Sequence, residues 1–559
     1  MEVEASSFSV LNREKKLRKL QSETFDIAII GGGITGAGIA LDAASRGFKV
    51  CLVEKNDFAS GTSNKSTKLI HGGLRYLKQF EIGLVRETGT ERAILHKLAP
   101  HLVVPEKMLL PLIKDGTYGK IMTSIGLKVY DFLADVEGDD KRVMLDKEET
   151  LEKEPLLDES LVLGGSLYAE YRTDDARLVI ENLKKAVSFG ATIVNYVEMT
   201  SFNYNANSKI ESLNCTDCNT GNAFKTKAKH YVSATGPWVD LLRTKDHSLN
   251  NKHLHLTKGV HIVLPFKKLR IKQAVYFDVA DGRMIFAIPR GRVTYVGTTD
   301  TNYFGNLEHV VATKNDAQYL LNGVNKMFPK ANLSMEDIES NWAGLRSLIH
   351  QEGKDPSELS RKDEIFISKS GLISIAGGKL TGYRKMAQRA VEAVLNSMEK
   401  SDKEKFETSE TGHIPLVSPP LNSSKEVSEY QSALKDRLSK IGVSDSYEAW
   451  YLCSNYGKQA DTIIKKSEDF KNTDSMERLI RGELWFGINY EMVNSLTDFF
   501  VRRTGRLFFD VKSVKKYANL ISVDMASYLS WDKERTLSEN KKLNLLLKDA
   551  TTFYTEEFQ

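Results

Sequence analysis

Short apolar runs that stop at glycine pattern the chain up to about residue 398, and beyond residue 421 the apolar positions recur at helical spacing. Residues 27–30 are continuously apolar, as expected of a strand buried on both faces of a parallel sheet. Gly31, Gly32, Gly33 and Gly36 follow, then a helical stretch of small residues, then a second apolar run over 50–53 that closes on Glu54. Further buried-strand runs are predicted at 192–197, 231–234 and 372–376. Helices are predicted within 81–98, over 121–132, over 178–188 with Asp174 and Asp175 at the start and Gly190 at the stop, and over 386–395. Runs at 109–113, 261–264, 284–288 and 294–297 alternate as an antiparallel domain would. Residues 399–421 are polar and proline-containing and read as a linker. The tail 422–559 reads as helices only, for example 427–441 before Gly442, with Trp485, Trp531, Phe499 and Phe500 in its core.

The glycines of the first unit each have a physical task. Gly31 permits a tight turn, Gly33 lets backbone approach a pyrophosphate, and Gly36 lets the helix pack close on the strand. The helix beginning at Ile34-Thr35 points free N–H groups and a positive dipole end at that position. Glu54, 18 residues after Gly36, can accept hydrogen bonds from a ribose. A dinucleotide site follows.

Composition narrows the class. The 559 residues are 41% hydrophobic and 27% charged with a net charge of +4, which fits several domains and gives no reason to expect a nucleic-acid partner. No apolar run is long enough to span a membrane, and the N-terminus lacks the pattern of a secretory signal. Four cysteines argue against a disulfide framework and for a reducing cytoplasm. Cys215 and Cys218 form one CxxC without a second pair, so a hairpin turn is expected there and no metal site. Residues 11–20 carry Arg13, Lys15, Lys16, Arg18 and Lys19 beside Val10, Leu17 and Leu20. They suit either an anionic membrane surface or a helix that packs back on its own domain.

After Glu54 and Lys55 the loop is rich in hydroxyls and glycine, and Thr62, Ser63, Ser66, Thr67 and Lys68 are candidate donors to phosphate or flavin oxygens. Leu69 leads into His71, Gly72 and Gly73, where backbone can pass a planar ring, with Arg75 and Tyr76 alongside. The run at 231–234 opens into Ala234, Thr235, Gly236 and Trp238, and 372–376 opens into Gly378, Lys379, Leu380 and Thr381. Val197 ends the strand expected to pass the adenine. Three glycine-flanked turns far apart in sequence are best explained as one discontinuous site for a large, flat, resident cofactor, FAD. A helix N-terminus after Lys379 can stabilise negative charge on a reduced ring.

The segments GGGITGAGIALDAASRG, TKLIHGGLRYL, ATGPW, KGVHIVLP, GLR and GGKLTGYRK resemble those of the FAD-dependent glycerol-3-phosphate dehydrogenases, in the D-amino-acid-oxidase-like flavoprotein group. The likeness spans about 24–400, and the helical tail is similar to that family's C-terminal domain. It implies an α/β fold: a discontinuous Rossmann-like FAD-binding domain (24–80, 160–240, 340–398) after a basic segment (1–23). It further implies a β-rich substrate domain (81–159, 241–339), the linker and an all-α domain (422–559). It implies oxidation of sn-glycerol 3-phosphate to dihydroxyacetone phosphate, with electrons passed to a membrane quinone. Its alternatives are a soluble oxidase giving hydrogen peroxide and a flavin enzyme for another small substrate. Arg75, Tyr76, Arg346, Lys379 and Thr381 would surround the substrate, since a phosphate dianion needs cations. His71 and His261 are the candidate bases, His71 favoured. A cytoplasmic, peripherally membrane-bound protein is expected, and a homodimer stays open.

Overall fold

The computed structural model describes residues 6–71, 82–114, 116, 142–351, 363–471 and 473–555. The opening unit forms as strand Thr24–Ile30, helix Ile34–Ser45 and strand Val50–Glu54, the strands paired in parallel. In an eight-stranded sheet Val50–Glu54 and then Thr192–Asn195 follow Thr24–Ile30 on one side. Ala223–Ser233, Leu372–Ala376 and Glu364–Ile367 follow on the other. Pairing along this path is parallel except at the last strand. The winding therefore reverses between Thr24–Ile30 and Ala223–Ser233. In open α/β sheets such a switch point is where ligands bind, beyond the carboxyl ends of the strands. Helices Ile34–Ser45, Asp175–Ser188 and Tyr383–Asn396 pack together and share one core with the sheet through Ile39, Val179 and Val391. Asp174 caps its helix as expected, accepting from the Arg177 N–H at 3.2 Å.

The run at 192–197 is not one strand. It breaks at Tyr196, whose φ is +57°, and restarts as Val197–Tyr204. That strand and Ile210–Asp217 continue the sheet as an antiparallel extension ending in the hairpin with Ala223–Ser233. Cys215 is buried on the hairpin and Cys218 exposed in its turn, and no metal-binding cluster occurs among the described residues.

A second sheet of ten strands is built from antiparallel ladders, notably Lys252–Pro265 with Ser340–Gln351 and Val104–Ile113 with Val162–Arg172, apart from one short parallel pairing of Ala274–Asp278 with Val104–Ile113. Three segments that the resemblance placed in the dinucleotide domain, and that were not predicted as strands, form strands of this sheet: Leu69–Ile70, Val162–Arg172 and Ser340–Gln351. Local pattern does not say which sheet a segment joins, and these pairings are long-range. The helix expected at 121–132 lies outside the described residues.

The tail is helical, beginning with Ser424–Lys440 and Gly442 at φ +84° after its end. Phe499 and Phe500 are fully buried, and Trp485 and Trp531 pack against cores of the tail. The stretch 399–421 is no free linker: Phe406 stacks on Phe48 at 3.6 Å, Ser409 bonds to Asp42, and the Leu416 N–H donates to Leu98 O at 3.1 Å. Helix Arg13–Ser22 packs back on the protein, burying Leu17 and Leu20 and pairing Arg13 with Asp217 at 2.7 Å. The membrane-facing alternative therefore loses Val10, Leu17 and Leu20 from its apolar face, and of the five cations Lys15, Arg18 and Lys19 stay exposed, beside Leu11 and Glu14. No helix among the described residues is long and apolar enough to cross a membrane.

Candidate active site

A cavity of about 840 Å³ opens at the switch point and runs to the second sheet. Its size lies toward the upper end for small-molecule sites. At one end stand Gly31, Gly33, Ile34, Thr35, Glu54, Lys55, Ala234, Thr235, Gly236 and Trp238, with Val197 beside them. At the other stand His71, His261, Arg346, Lys379 and Thr381, with Gly378 and Leu380, the neighbours of Lys379, also in the wall. The three glycine-flanked turns thus meet in one space.

The end lined by the glycine turns is shaped by close approaches. A Cβ on Gly36 would lie 1.9 Å from Gly31 O, so Gly36 sits behind the wall as the contact that lets the helix reach the turn. Gly32 also lies behind the wall, its N–H donating to Glu54 Oε2 at 2.7 Å. Asn56 N–H donates to the other Glu54 oxygen at 2.9 Å. Burial raises the Glu54 carboxyl pKa, and these N–H groups oppose the rise. The Ile34 N–H donates to Ser63 Oγ at 3.0 Å, leaving the Ser63 hydrogen to be donated into the cavity. Lys55 lies over the Trp238 ring at 4.7 Å, and both bond Glu308 at the rim. Thr62 ties the loop to Leu345 O at 2.8 Å, and Ser66 bonds to Asp175. Thr67 and Leu69 also face the cavity.

Lys68 departs from expectation. Its side chain is 1% exposed and turned away from the cavity, donating to Asn64 O at 3.1 Å and pairing with Asp175. With φ at +56°, its backbone sends the ammonium inward, so it is a buried strut and not a phosphate donor. Thr381 is likewise committed: its hydroxyl accepts from the His71 N–H at 3.1 Å and donates to His71 O at 3.0 Å. It fixes the His71 backbone. Gly73, Arg75 and Tyr76 lie outside the described residues.

His261 is held on every side. It pairs across the ladder with Trp342, and the two rings stack at 4.8 Å and 10°. On the opposite strand a Cβ at Gly297 would fall 2.1 Å from the imidazole, so only glycine leaves room for it. Nε2 meets Thr67 Oγ1 at 3.0 Å. Burial, reinforced by the charges of Arg346 and Lys68, drives its pKa well below the ordinary value, so the ring is neutral at physiological pH. Arg346 donates to Thr299 O at 3.1 Å, Asp300 Oδ1 at 2.9 Å and Thr298 Oγ1 at 3.0 Å. The sequence reading missed Arg283, which also lines the cavity and donates to Asp281 and, at 3.4 Å, to Asp300 O. Its signal was weak: one arginine after an Asp-Gly turn. Thr298 and Asp300, on the segment that closes this end, were missed too.

This chain matches the model of a family described as FAD dependent oxidoreductase over residues 26–436. It also matches that of the C-terminal domain of alpha-glycerophosphate oxidase over 420–536. It is 49% identical to the aerobic glycerol-3-phosphate dehydrogenase of Bacillus subtilis, across 97% of this chain and 98% of that one. It is 47% identical to the enzyme of that name from Staphylococcus aureus, across 97% and 98%. The solved glycerol-3-phosphate dehydrogenase of Bacillus halodurans, complexed with FAD, is similar at a TM-score of 0.82 and 40% identity, covering 98% of this chain and 100% of that one. The glycine turns, the shared cavity and these likenesses along nearly the whole length agree: the chain belongs to the FAD-dependent glycerol-3-phosphate dehydrogenase family of the FAD dependent oxidoreductases.

Proposed function

We propose that the protein oxidises sn-glycerol 3-phosphate to dihydroxyacetone phosphate and delivers the electrons to a membrane quinone. The observation that carries this reading is one cavity with a dinucleotide cradle at one end and Arg346, Arg283, Lys379 and two histidines toward the other. The residues present fit FAD: Gly31, Gly33 and Thr35 give backbone access for a pyrophosphate, and Glu54 gives a ribose acceptor. When bound, FAD supplies at N5 the acceptor for the hydride leaving C2. Arg346 and Arg283 receive the phosphate, with Lys379 as a further point charge. His261 takes the proton of the C2 hydroxyl at Nε2, the nitrogen turned toward Thr67 on the cavity wall. What supports His261 over His71 is its fixed ring, neutral state and proximity to Arg346, whose depressing charge a bound dianion offsets. Thr381 positions His71.

The names of relatives 46–49% identical favour the dehydrogenase over the peroxide-forming oxidase. The outward Lys15, Arg18 and Lys19 favour peripheral attachment to an anionic cytoplasmic leaflet. The test is turnover of glycerol 3-phosphate with a quinone analogue and with oxygen alone, for wild type and Arg346→Leu. Quinone-dependent turnover with little peroxide, and a variant whose KM rises steeply, are expected. Fast peroxide formation without added acceptor, or an unaffected variant, contradicts the reading.

A further inference from the structure

None of the described residues of the helical tail lines the cavity, yet two of its arginines end behind the wall formed by the glycine turns. Asp57, three residues after Glu54, is fully buried and accepts four hydrogen bonds. Arg503 donates to it from Nη1 at 2.8 Å and from Nη2 at 2.9 Å, Arg502 donates from Nε at 2.5 Å, and Asn195 donates at 3.0 Å. Both arginines belong to Asp498–Arg503, a π-helical turn of the tail. Arg502 also bonds Asp498 at 2.8 Å, and Asp498 receives the hydroxyl of Tyr196 at 2.5 Å. Tyr196 is the left-handed residue just before Val197, and its N–H donates to Asn56 O at 3.0 Å. From the other side Arg13 donates to the carbonyls of Asn195 and Tyr196, each at 3.0 Å.

The wall segments Glu54-Lys55-Asn56 and Val197 are thus fastened from behind by one buried network, supplied by the tail and the N-terminal helix. We infer that the C-terminal domain is a structural part of the cofactor site, with Arg502, Arg503 and Asp498 as positioning residues that hold the adenosine-side wall through Asp57 and Tyr196. This rests on the flavin assignment above. The arginines themselves do not line the cavity, so they act only through these partners.

The chemistry suits rigid holding. A planar guanidinium set bidentate on a carboxylate fixes orientation as well as distance, which a lysine cannot do. A buried carboxylate with four donors cannot rotate without leaving charges unpaired. The wall therefore keeps its shape only while the tail stays docked.

The test measures flavin release from full-length holoenzyme over a dilution series, by the fluorescence of freed FAD, beside thermal melting. Arg502→Lys and Arg503→Lys keep the charge and lose the fork. Arg506→Lys is the control, because Arg506 bonds Glu483 at 2.7 Å within the tail, and neither residue touches the wall. The two clamp variants are expected to weaken flavin binding about tenfold, and the control to lower the melting temperature without changing the flavin dissociation constant. Clamp variants that melt earlier yet hold flavin as the wild type does overturn the inference. If Arg503→Lys does not fold, Arg502→Lys alone decides. Wild-type protein that takes up no flavin at all refutes the cofactor assignment instead, which separates the two failures.

Discussion

Replacing Gly36 by alanine adds one methyl group at the tightest contact of the cofactor cradle. The added Cβ would sit 1.9 Å from Gly31 O, whereas real Cβ atoms do not come closer than 3.0 Å. The contact must open by at least 1.1 Å, the difference between those two distances. Gly31 cannot retreat easily, because its N–H is held by Val53 O at 2.9 Å and Ala234 backs it. The helix Ile34–Ser45 must move instead, and its other face is buried against Tyr383 and Ala387. Overpacking of this kind costs about 1–3 kcal/mol. A shift above 1 Å also displaces the Gly33, Ile34 and Thr35 backbone that the proposed function sets along the pyrophosphate. The assay is the visible flavin absorbance per protein after purification, with thermal melting. Gly36→Ala should lose most of its flavin and melt earlier. Gly83→Ala, in helix Ile82–Leu98, meets nothing within 4 Å and should behave as wild type. If Gly36→Ala retains full flavin content and melts with the wild type, the close-packing explanation of the first glycine motif is wrong.

Three further outcomes are expected. His261→Asn should reduce kcat by a factor of about 100 or more with flavin still bound, and His71→Asn by less; the reverse order would return the proton to His71. Arg283→Gln should raise the KM for glycerol 3-phosphate while leaving flavin content unchanged, and an unchanged KM would remove Arg283 from the phosphate site. Lys16 is buried against Met492 and Phe8, and burial, then the Arg13 charge, lowers its pKa to about 7. The unfolded lysine titrates at about 10.4, so between about pH 10 and 7 only the unfolded chain gains this proton and stability falls as pH falls. Lys16→Met should therefore stabilise by roughly 3–5 kcal/mol at pH 7 and by little near pH 10; equal effects at both pH values would refute the buried neutral amine.

What the chain revealed in advance is what local chemistry encodes. Residues 25–54 carried strand, turn, helix and acid in register, and the turn at Cys215–Cys218 and the cap at Asp174 followed from neighbours in sequence. Partners hundreds of residues apart were not legible. Asp57 and Arg503 stand 446 residues apart, and nothing around either announces the other. Ser340–Gln351 was not predicted as a strand, Arg346 alone being singled out within it, and its ladder with Lys252–Pro265 decided its sheet. Lys68 shows a third limit, because its residue type suited a phosphate and only its left-handed backbone turned it to Asp175. The polar stretch 399–421 hid Phe406, whose stacking on Phe48 pins it to the first domain.

The glycine turns and the cations Arg283, Arg346 and Lys379 share one cavity, and under the proposed function they serve one reaction. The most direct measurement is the flavin spectrum of the purified protein under anaerobic conditions, before and after glycerol 3-phosphate is added. The oxidised flavin bands should bleach on addition and recover on adding a quinone analogue. A flavin spectrum that glycerol 3-phosphate leaves unchanged would contradict it.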